Sequence, residues 1–395
     1  MEARYKVDAN VLKQLIENSD EILLFENFIK CDLINWKLKD WKNVFGNLNL
    51  DCRVGFNYCT RKPQFETITK RETLTFEQFL EKANSEDDKW FYYDYKHLNE
   101  NLNENVHLMN NINWKVFGFP EINYEKSTFW FGSKNSHTSL HQDSYGYNLI
   151  LQIYGKKMWI LFPKEEDLKS TRIPYEESSI YSKLNFFSPD LNEPGFKGVK
   201  NCSRIILKPG DVLFVPKKTW HYVENLETSI SINTWISCES DENERFNESI
   251  VQLLMKTISQ NLNEDQKHRI INPNNLYVNY DVVNDLTFES CLQTMNYCKE
   301  KCERYQPSTS NEEMAEFDVD AVLSKYEFIK KPNVLTNEEF TMFLTEQREK
   351  RVKIENADDA GNDEDDYLTA TKNLIDSVVN SQVVDLIKDK LLNCY

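Results

Sequence analysis

Hydrophobic and polar positions divide the chain into stretches of different rhythm. Up to about residue 127 the pattern is mixed. Asp20-Glu21-Ile22-Leu23-Leu24-Phe25 reads as a short buried strand, and Trp36, Leu38 and Trp41 set large apolar groups among lysines, as an amphipathic turn or helix does. Phe76, Phe79 and Leu80 recur at helical spacing within residues 75–82, whereas Trp90-Phe91-Tyr92-Tyr93-Asp94-Tyr95 is an aromatic run suited to a strand. Between residues 128 and 237 short β-rich runs take over, at 128–131, 147–154, 158–162, 203–207, 211–215 and 229–236. Turn residues separate them: Gly155-Lys156 lies between two runs and Pro209-Gly210-Asp211 breaks another pair. Many short strands joined this way predict a barrel or a two-sheet jelly roll. Residues 169–198, with Pro174, Pro189 and Pro194, show little periodicity and read as a surface loop near a functional mouth.

After Ser240 a helical stripe appears in Phe246, Ile250, Leu253 and Leu254, and helix-like segments continue towards Tyr305. Pro307-Ser308-Thr309-Ser310 reads as a linker, followed by helix-like residues 317–328 and 337–351. Residues 355–367 hold seven carboxylates and no base, the composition of a solvated spacer. The apolar period over 374–392 predicts an amphipathic helix docked on its own domain. The expected organisation is N-terminal α/β elements over 1–127, a β-barrel core over 128–240, a helical extension over 241–305, and an acidic linker with a helical, partly disordered tail over 306–395.

Composition narrows the function. Of 395 residues, 40% are hydrophobic, with 8 Trp, 19 Tyr and 23 Phe, enough apolar material to exclude wholesale disorder. The ten glycines form neither G-x-G-x-x-G nor G-x-x-x-x-G-K, which excludes the dinucleotide fingerprint and the P-loop. A net charge of −17 argues against nonspecific nucleic-acid binding but leaves a basic protein substrate open. No apolar run approaches the ~18 residues of a membrane-spanning helix, and Met1-Glu2-Ala3-Arg4-Tyr5-Lys6 lacks a signal-peptide pattern. No membrane association is therefore expected, and the expected location is the cytoplasm, with the nucleus open. Nine cysteines without a C-x-x-C pair read as reduced thiols; Cys298 and Cys302, on one helix face, read as buried packing rather than half a zinc site.

One constellation carries chemistry. In His141-Gln142-Asp143, residues i and i+2 of an extended chain point to the same side, so an imidazole and a carboxylate converge. His221, beyond the 211–215 run and flanked by Trp220 and Tyr222, is the candidate third ligand. Two histidines and one carboxylate on one face leave the opposite positions open, the facial triad of non-haem Fe(II) sites. The H-x-D spacing alone is common. His97, His107, His137 and His268 show no comparable setting, and a zinc alternative using His137 is set aside because 132–139 reads as a loop.

The surroundings of that triad resemble a known family. Phe129-Trp130-Phe131-Gly132-Ser133, Thr138-Ser139-Leu140-His141-Gln142-Asp143, Gly155-Lys156-Lys157-Met158-Trp159-Ile160-Leu161-Phe162-Pro163, Lys208-Pro209-Gly210-Asp211-Val212-Leu213-Phe214-Val215-Pro216, Trp220-His221-Tyr222-Val223-Glu224-Asn225 and Ser231-Ile232-Asn233-Thr234-Trp235 resemble, in order, a JmjC domain. The likeness spans roughly residues 20–240, is densest over 128–237, and is not seen beyond about 260. It implies a mainly β fold with flanking helices: a double-stranded β-helix, or cupin-like jelly roll, with N-terminal α/β elements and a C-terminal helical region. It also implies Fe(II) and 2-oxoglutarate as cosubstrate.

By that resemblance His141, Asp143 and His221 match the iron ligands. Lys157, two positions past Gly155, matches the lysine that pairs with the distal carboxylate of 2-oxoglutarate; a buried dianion needs a fixed cation. The residues alone leave open that Lys157 is one of two exposed lysines in a hairpin turn. Thr138 matches a hydroxyl for the same carboxylate, and Asn148 and Asn233 match polar residues lining the pocket. Tyr92, or Tyr93 in its place, supplies another hydroxyl, and Trp235 packs the wall. Asp143 stands where many JmjC demethylases carry Glu, and no cysteine-rich reader module is present, so the protein-hydroxylase branch is implied. A lysine demethylase and a non-catalytic adaptor remain the alternatives. Thr171-Arg172-Ile173-Pro174-Tyr175-Glu176-Glu177-Ser178-Ser179 and His141-Gln142-Asp143-Ser144-Tyr145-Gly146 resemble a subgroup named for association with a small heat-shock protein, which implies such a partner and a link to the stress response. A protein or peptide substrate is expected across the mouth near Tyr145 and residues 170–198, and residues 241–305 are expected either to form a dimer face or to close the barrel.

Overall fold

The computed structural model describes residues 1–65, 69–85, 88–102, 105–172, 179–238, 240–263, 287–304, 317–351 and 366–393. The linker at 307–310, most of the acidic spacer and residues 173–178 of the insertion lie outside them.

Two antiparallel sheets face each other. The nine-stranded sheet runs, edge to edge, Ile329–Lys330, Leu23–Phe25, Val212–Val215, Tyr147–Tyr154, Ser229–Ile236, Thr128–Gly132, Lys89–His97, Leu50–Phe56 and Lys70–Leu74. The six-stranded sheet runs Ser170–Arg172, Ser179–Ser182, His137–Asp143, Trp220–Asn225, Lys157–Phe162 and Ser203–Leu207. From Thr128–Gly132 to Ser229–Ile236 the chain crosses between sheets at most turns, which winds it into the expected double-stranded β-helix. Most of these strands are covered on both faces, so their sequences are nearly continuous apolar runs rather than alternating ones.

The outer face of the nine-stranded sheet is covered by helices Ala9–Asn18, Leu38–Phe45 and Phe76–Ser85. Trp41 and Phe45 share one helical face and pack at tilted angles against Phe129 and Phe131, with Phe76 and Phe79 closing the cluster. Each fully buried aromatic contributes about 2–3 kcal/mol by removal from water, and the ring geometry adds somewhat less. Gly155, at φ +64°, turns the chain from Tyr147–Tyr154 in one sheet to Lys157–Phe162 in the other, with Thr228 O 2.3 Å from where a Cβ would lie. Only glycine meets both demands, and the turn sets which face Lys157 takes.

Interrupted periodicity hides several strands. Within 132–139 only residues 133–136 form a turn; Gly132 ends one strand and His137–Asp143 is another. Leu50–Phe56 and Lys70–Leu74 were not foreseen, because Arg53 and Gly55 break the apolar run of the first and the second is half polar. Residues 169–198 are not simply a surface loop. Part of the segment adds two short strands to the six-stranded sheet, and Leu184, Phe186 and Phe187 are fully packed. The 374–392 run is two helices, Asp366–Val378 and Ser381–Leu392, the second capped by the Asn380 side chain.

Those two helices pack with Asp241–Ile258 and Phe288–Arg304 around Phe246, Met255, Met295, Ile375 and Val384, a cluster that also buries Cys298 and Cys302. No disulfide joins the described cysteines. The intervening tail returns to the barrel. Ile329–Lys330 pairs with Leu23–Phe25, and helix Asn337–Glu349 lays Phe340, Phe343 and Leu344 on the outer face of the six-stranded sheet. Among the described residues no helix is long and apolar enough to cross a membrane.

Candidate active site

His141 and His221 are directly opposed across two neighbouring strands, and their ring centroids lie 4.1 Å apart. Asp143 sits two residues beyond His141. Its carboxylate oxygens are 3.5 Å from His141 Nε2 and 3.8 Å from His221 Nε2. One ligand atom from each of the three lies within 4.8 Å of the others. Both histidines have the same tautomer, because a carbonyl only accepts: His141 Nδ1 donates to Ser139 O and His221 Nδ1 to Thr219 O, each at 2.8 Å. The Nε2 lone pairs are thereby turned towards Asp143. Burial, then the neighbouring His141, lowers the pKa of His221 against the opposing pull of Asp143, which favours the neutral, electron-donating imidazole. Two neutral imidazoles and a carboxylate in this spacing fit a divalent transition metal with coordination positions to spare.

Thr138 faces the same cavity as His141 although the two lie three positions apart, a spacing that puts side chains on opposite faces of a regular strand. The register explains it. Thr138 pairs with Val223 and His141 with His221, so one extra residue is absorbed between them as a β-bulge.

The carboxylate is held from the opposite sheet. Trp235 Nε1 donates to Asp143 Oδ2 at 3.0 Å and Asn148 Nδ2 reaches the same atom at 3.4 Å. Asn233 Nδ2 donates to Asn148 Oδ1 at 2.8 Å, and Trp130 Nε1 to Asn233 Oδ1 at 2.7 Å. Trp235, expected only as packing, is therefore also a hydrogen-bond donor.

Lys157 is 2% exposed, whereas its neighbour Lys156 is exposed, so the turn-lysine alternative does not apply. Its ammonium donates to Tyr92 Oη at 3.3 Å. Among the described residues no carboxylate lies within ion-pairing distance of it, and burial pushes its pKa down to about 7 against a weaker opposing pull from Asp94. A buried cation with no anion beside it suits a ligand that brings its own carboxylate. Tyr92 points into the cavity, and Tyr93 points the other way, against Phe45.

His141, Asp143, His221, Thr138, Lys157, Asn148, Asn233 and Tyr92 all line one cavity. Trp130, Ile150, Trp159, Val223, Ser231 and Trp235 complete its wall. Ile150, Trp159, Val223 and Ser231 were not selected from sequence, yet each lies two residues from one that was, so strand alternation carried the signal. Tyr145 packs under the Arg245 guanidinium, 4.8 Å from ring centroid to cation. His137 lies outside the cavity, stacked on Phe187 at 4.0 Å.

Residues 41–242 match the model of the cupin-like domain family. The chain is 35% identical over 281 residues to HSPB1-associated protein 1 of Homo sapiens, which covers 65% of this chain and 57% of that protein. The Rattus norvegicus HSPB1-associated protein 1 is 34% identical over 314 residues, 73% of this chain and 64% of that protein. Lysine-specific demethylase JMJ30 of Arabidopsis thaliana is 28% identical over 215 residues, 52% of this chain and 47% of that protein. The chain thus spans less than two thirds of the length of these curated relatives.

Proposed function

The chain belongs to the cupin-like domain family, in its JmjC form, and from that membership we propose that it is an Fe(II)- and 2-oxoglutarate-dependent oxygenase that hydroxylates a protein. The observation that carries the reading is the shared cavity. A two-histidine, one-carboxylate cluster and an anion-less buried lysine open onto the same space.

When bound, ferrous iron and 2-oxoglutarate would supply, with dioxygen as oxidant, an oxidation in which one oxygen atom joins the cosubstrate as it loses carbon dioxide to become succinate and the other enters a substrate C–H bond. The side chains of this chain have narrower tasks. His141, Asp143 and His221 hold the metal from one side, with Ser139 O and Thr219 O fixing the imidazole tautomers. Trp235 and Asn148 fix the carboxylate's orientation. Lys157, Tyr92 and Thr138 hold the distal carboxylate of the cosubstrate. Asn233 ties Asn148 to Trp130, and Trp159, Val223 and Ile150 keep water from the reacting centre.

An N-methyl-lysine demethylase is the second reading, supported by the name of the Arabidopsis thaliana relative. The names of the mammalian relatives support a small heat-shock protein as partner; a role in the stress response and a cytoplasmic or nuclear location are further parts of the proposal, read from sequence. Anaerobic titration with Fe(II) and 2-oxoglutarate tests the core of the proposal: an absorbance band is expected from the wild type and none from His141→Ala. Mass analysis of proteins trapped by the iron-site variant and then incubated with the wild type, Fe(II) and 2-oxoglutarate in air separates the chemistries, since hydroxylation adds one oxygen atom and demethylation removes a methylene with release of formaldehyde. Undiminished binding of a small heat-shock protein by a triple-ligand variant, with no succinate from the wild type, would favour an adaptor instead.

A further inference from the structure

We infer that Arg351 is a positioning residue for the metal site, one that pins the bulged register of the two strands carrying His141, Asp143 and His221. The inference rests on the metal-site reading above. A strand slipped by one residue turns every side chain to the other face, and a bulge is where such a slip is easiest. Here the register before the bulge is the pair His137 and Glu224, followed by Thr138 and Val223; after it comes the pair His141 and His221. If the extra residue were absorbed elsewhere, Thr138 or His141 would turn away from the cavity. Whatever fixes the bulge must therefore hold both strands at the His137–Glu224 end.

Arg351 does this from outside the barrel. It follows helix Asn337–Glu349, far beyond the family-matched residues 41–242, and is 4% exposed. Its Nη2 donates to Glu224 Oε1 at 2.9 Å, on the strand of His221. The second oxygen of Glu224 accepts from Tyr222 Oη at 2.7 Å and Gln347 Nε2 at 2.6 Å. The guanidinium also lies 3.6 Å over the Phe187 ring, and its Nε donates to Phe187 O at 3.0 Å. The other face of Phe187 stacks on His137 at 4.0 Å with 14° between the planes, on the strand of His141 and Asp143. One side chain thus holds the His221 strand directly and the His141 strand through Phe187, at the pair where their register is set. Neither His137 nor Glu224 lines the cavity, so the influence passes through backbone placement alone.

The test measures Fe(II) affinity and thermal stability separately, by anaerobic titration in excess 2-oxoglutarate and by melting in chelator. Arg351→Met should weaken Fe(II) binding about tenfold or more, the usual size of a support-residue effect on a metal. Arg351→Lys should not restore it, because an ammonium has neither the planar fork nor the stack. The pair Glu224→Gln with Arg351→Met removes the buried charge and should recover the melting temperature, while Fe(II) affinity stays low. Ile329→Ala, which loosens the tail at the edge of the other sheet, should lower the melting temperature and leave Fe(II) affinity unchanged. Recovery of affinity along with stability in the double variant, or equal weakening in Ile329→Ala, would reduce Arg351 to general support and overturn the inference. A wild type that binds Fe(II) with Arg351→Met binding equally well overturns it alone; a wild type that binds no Fe(II) overturns the site reading as well.

Discussion

Lys157 and Tyr92 meet at 3.3 Å inside the barrel, one side chain from each sheet, and the lysine has no carboxylate within ion-pairing distance among the described residues. Burial holds its pKa near 7, so below that pH it is charged in both the folded and the unfolded chain. Between about 7 and the ordinary lysine value of 10.5 the unfolded chain holds the extra proton, and the ligand-free protein gains stability as pH rises through that window. A dianionic cosubstrate needs the charged form. Affinity for 2-oxoglutarate should therefore fall above pH 7, by at most about tenfold per pH unit. Calorimetric titration from pH 6.5 to 9 checks this, and an arginine at position 157 should flatten the profile.

Replacing Lys157 with Met should abolish cosubstrate binding but leave metal uptake intact, because Lys157 makes no contact with His141, Asp143 or His221. Loss of Fe(II) binding in that variant would show that the lysine supports the fold of the site rather than an anion.

Trp235→Phe removes the 3.0 Å donor to Asp143 while keeping an aromatic in the wall. Metal affinity should drop about 10- to 100-fold, as is typical when the support of a ligating carboxylate is lost. Titration with Mn(II) followed by magnetic resonance reads this without turnover.

Gly155→Ala forces a left-handed residue and a contact at 2.3 Å with the Thr228 carbonyl. A stability loss of about 1–3 kcal/mol is expected in denaturant melts, with weakened 2-oxoglutarate binding because the same turn aims Lys157.

Glu224 is wholly buried. Burial by itself raises its pKa, but Arg351, followed by Tyr222 and Gln347, holds it below the ordinary carboxylate value. Its contribution to stability is therefore present above the unfolded-state pKa and is lost as pH falls through the lowered folded value. Arg351→Met strands that charge and should cost about 3–5 kcal/mol at neutral pH. The loss should shrink in acid, where Glu224 takes up a proton, and urea melts at pH 7 and pH 4 would reveal the difference.

Much of the site was legible because its residues sit in strands. The ligand pair His141 and Asp143 obeys the two-residue repeat of extended chain, and the turn at Gly155 marks the strand of Lys157. Tyr92 against Tyr93 was not legible, since an aromatic run fits either face until one sheet is seen to lie across from it. The Thr138–His141 spacing had meaning only through the bulge, which local sequence does not reveal.

Local pattern thus determined most strands of the barrel core, the mainly β character and the residues able to bind a metal, because backbone periodicity and side-chain chemistry are properties of short segments. The tertiary structure decided what those segments meet. The register of His141 against His221, the desolvation of Lys157 and the return of the tail to place Arg351 beside Glu224, 127 residues away, depend on contacts between distant parts of the chain. Such contacts arise from packing and burial, and no window of neighbouring residues contains them.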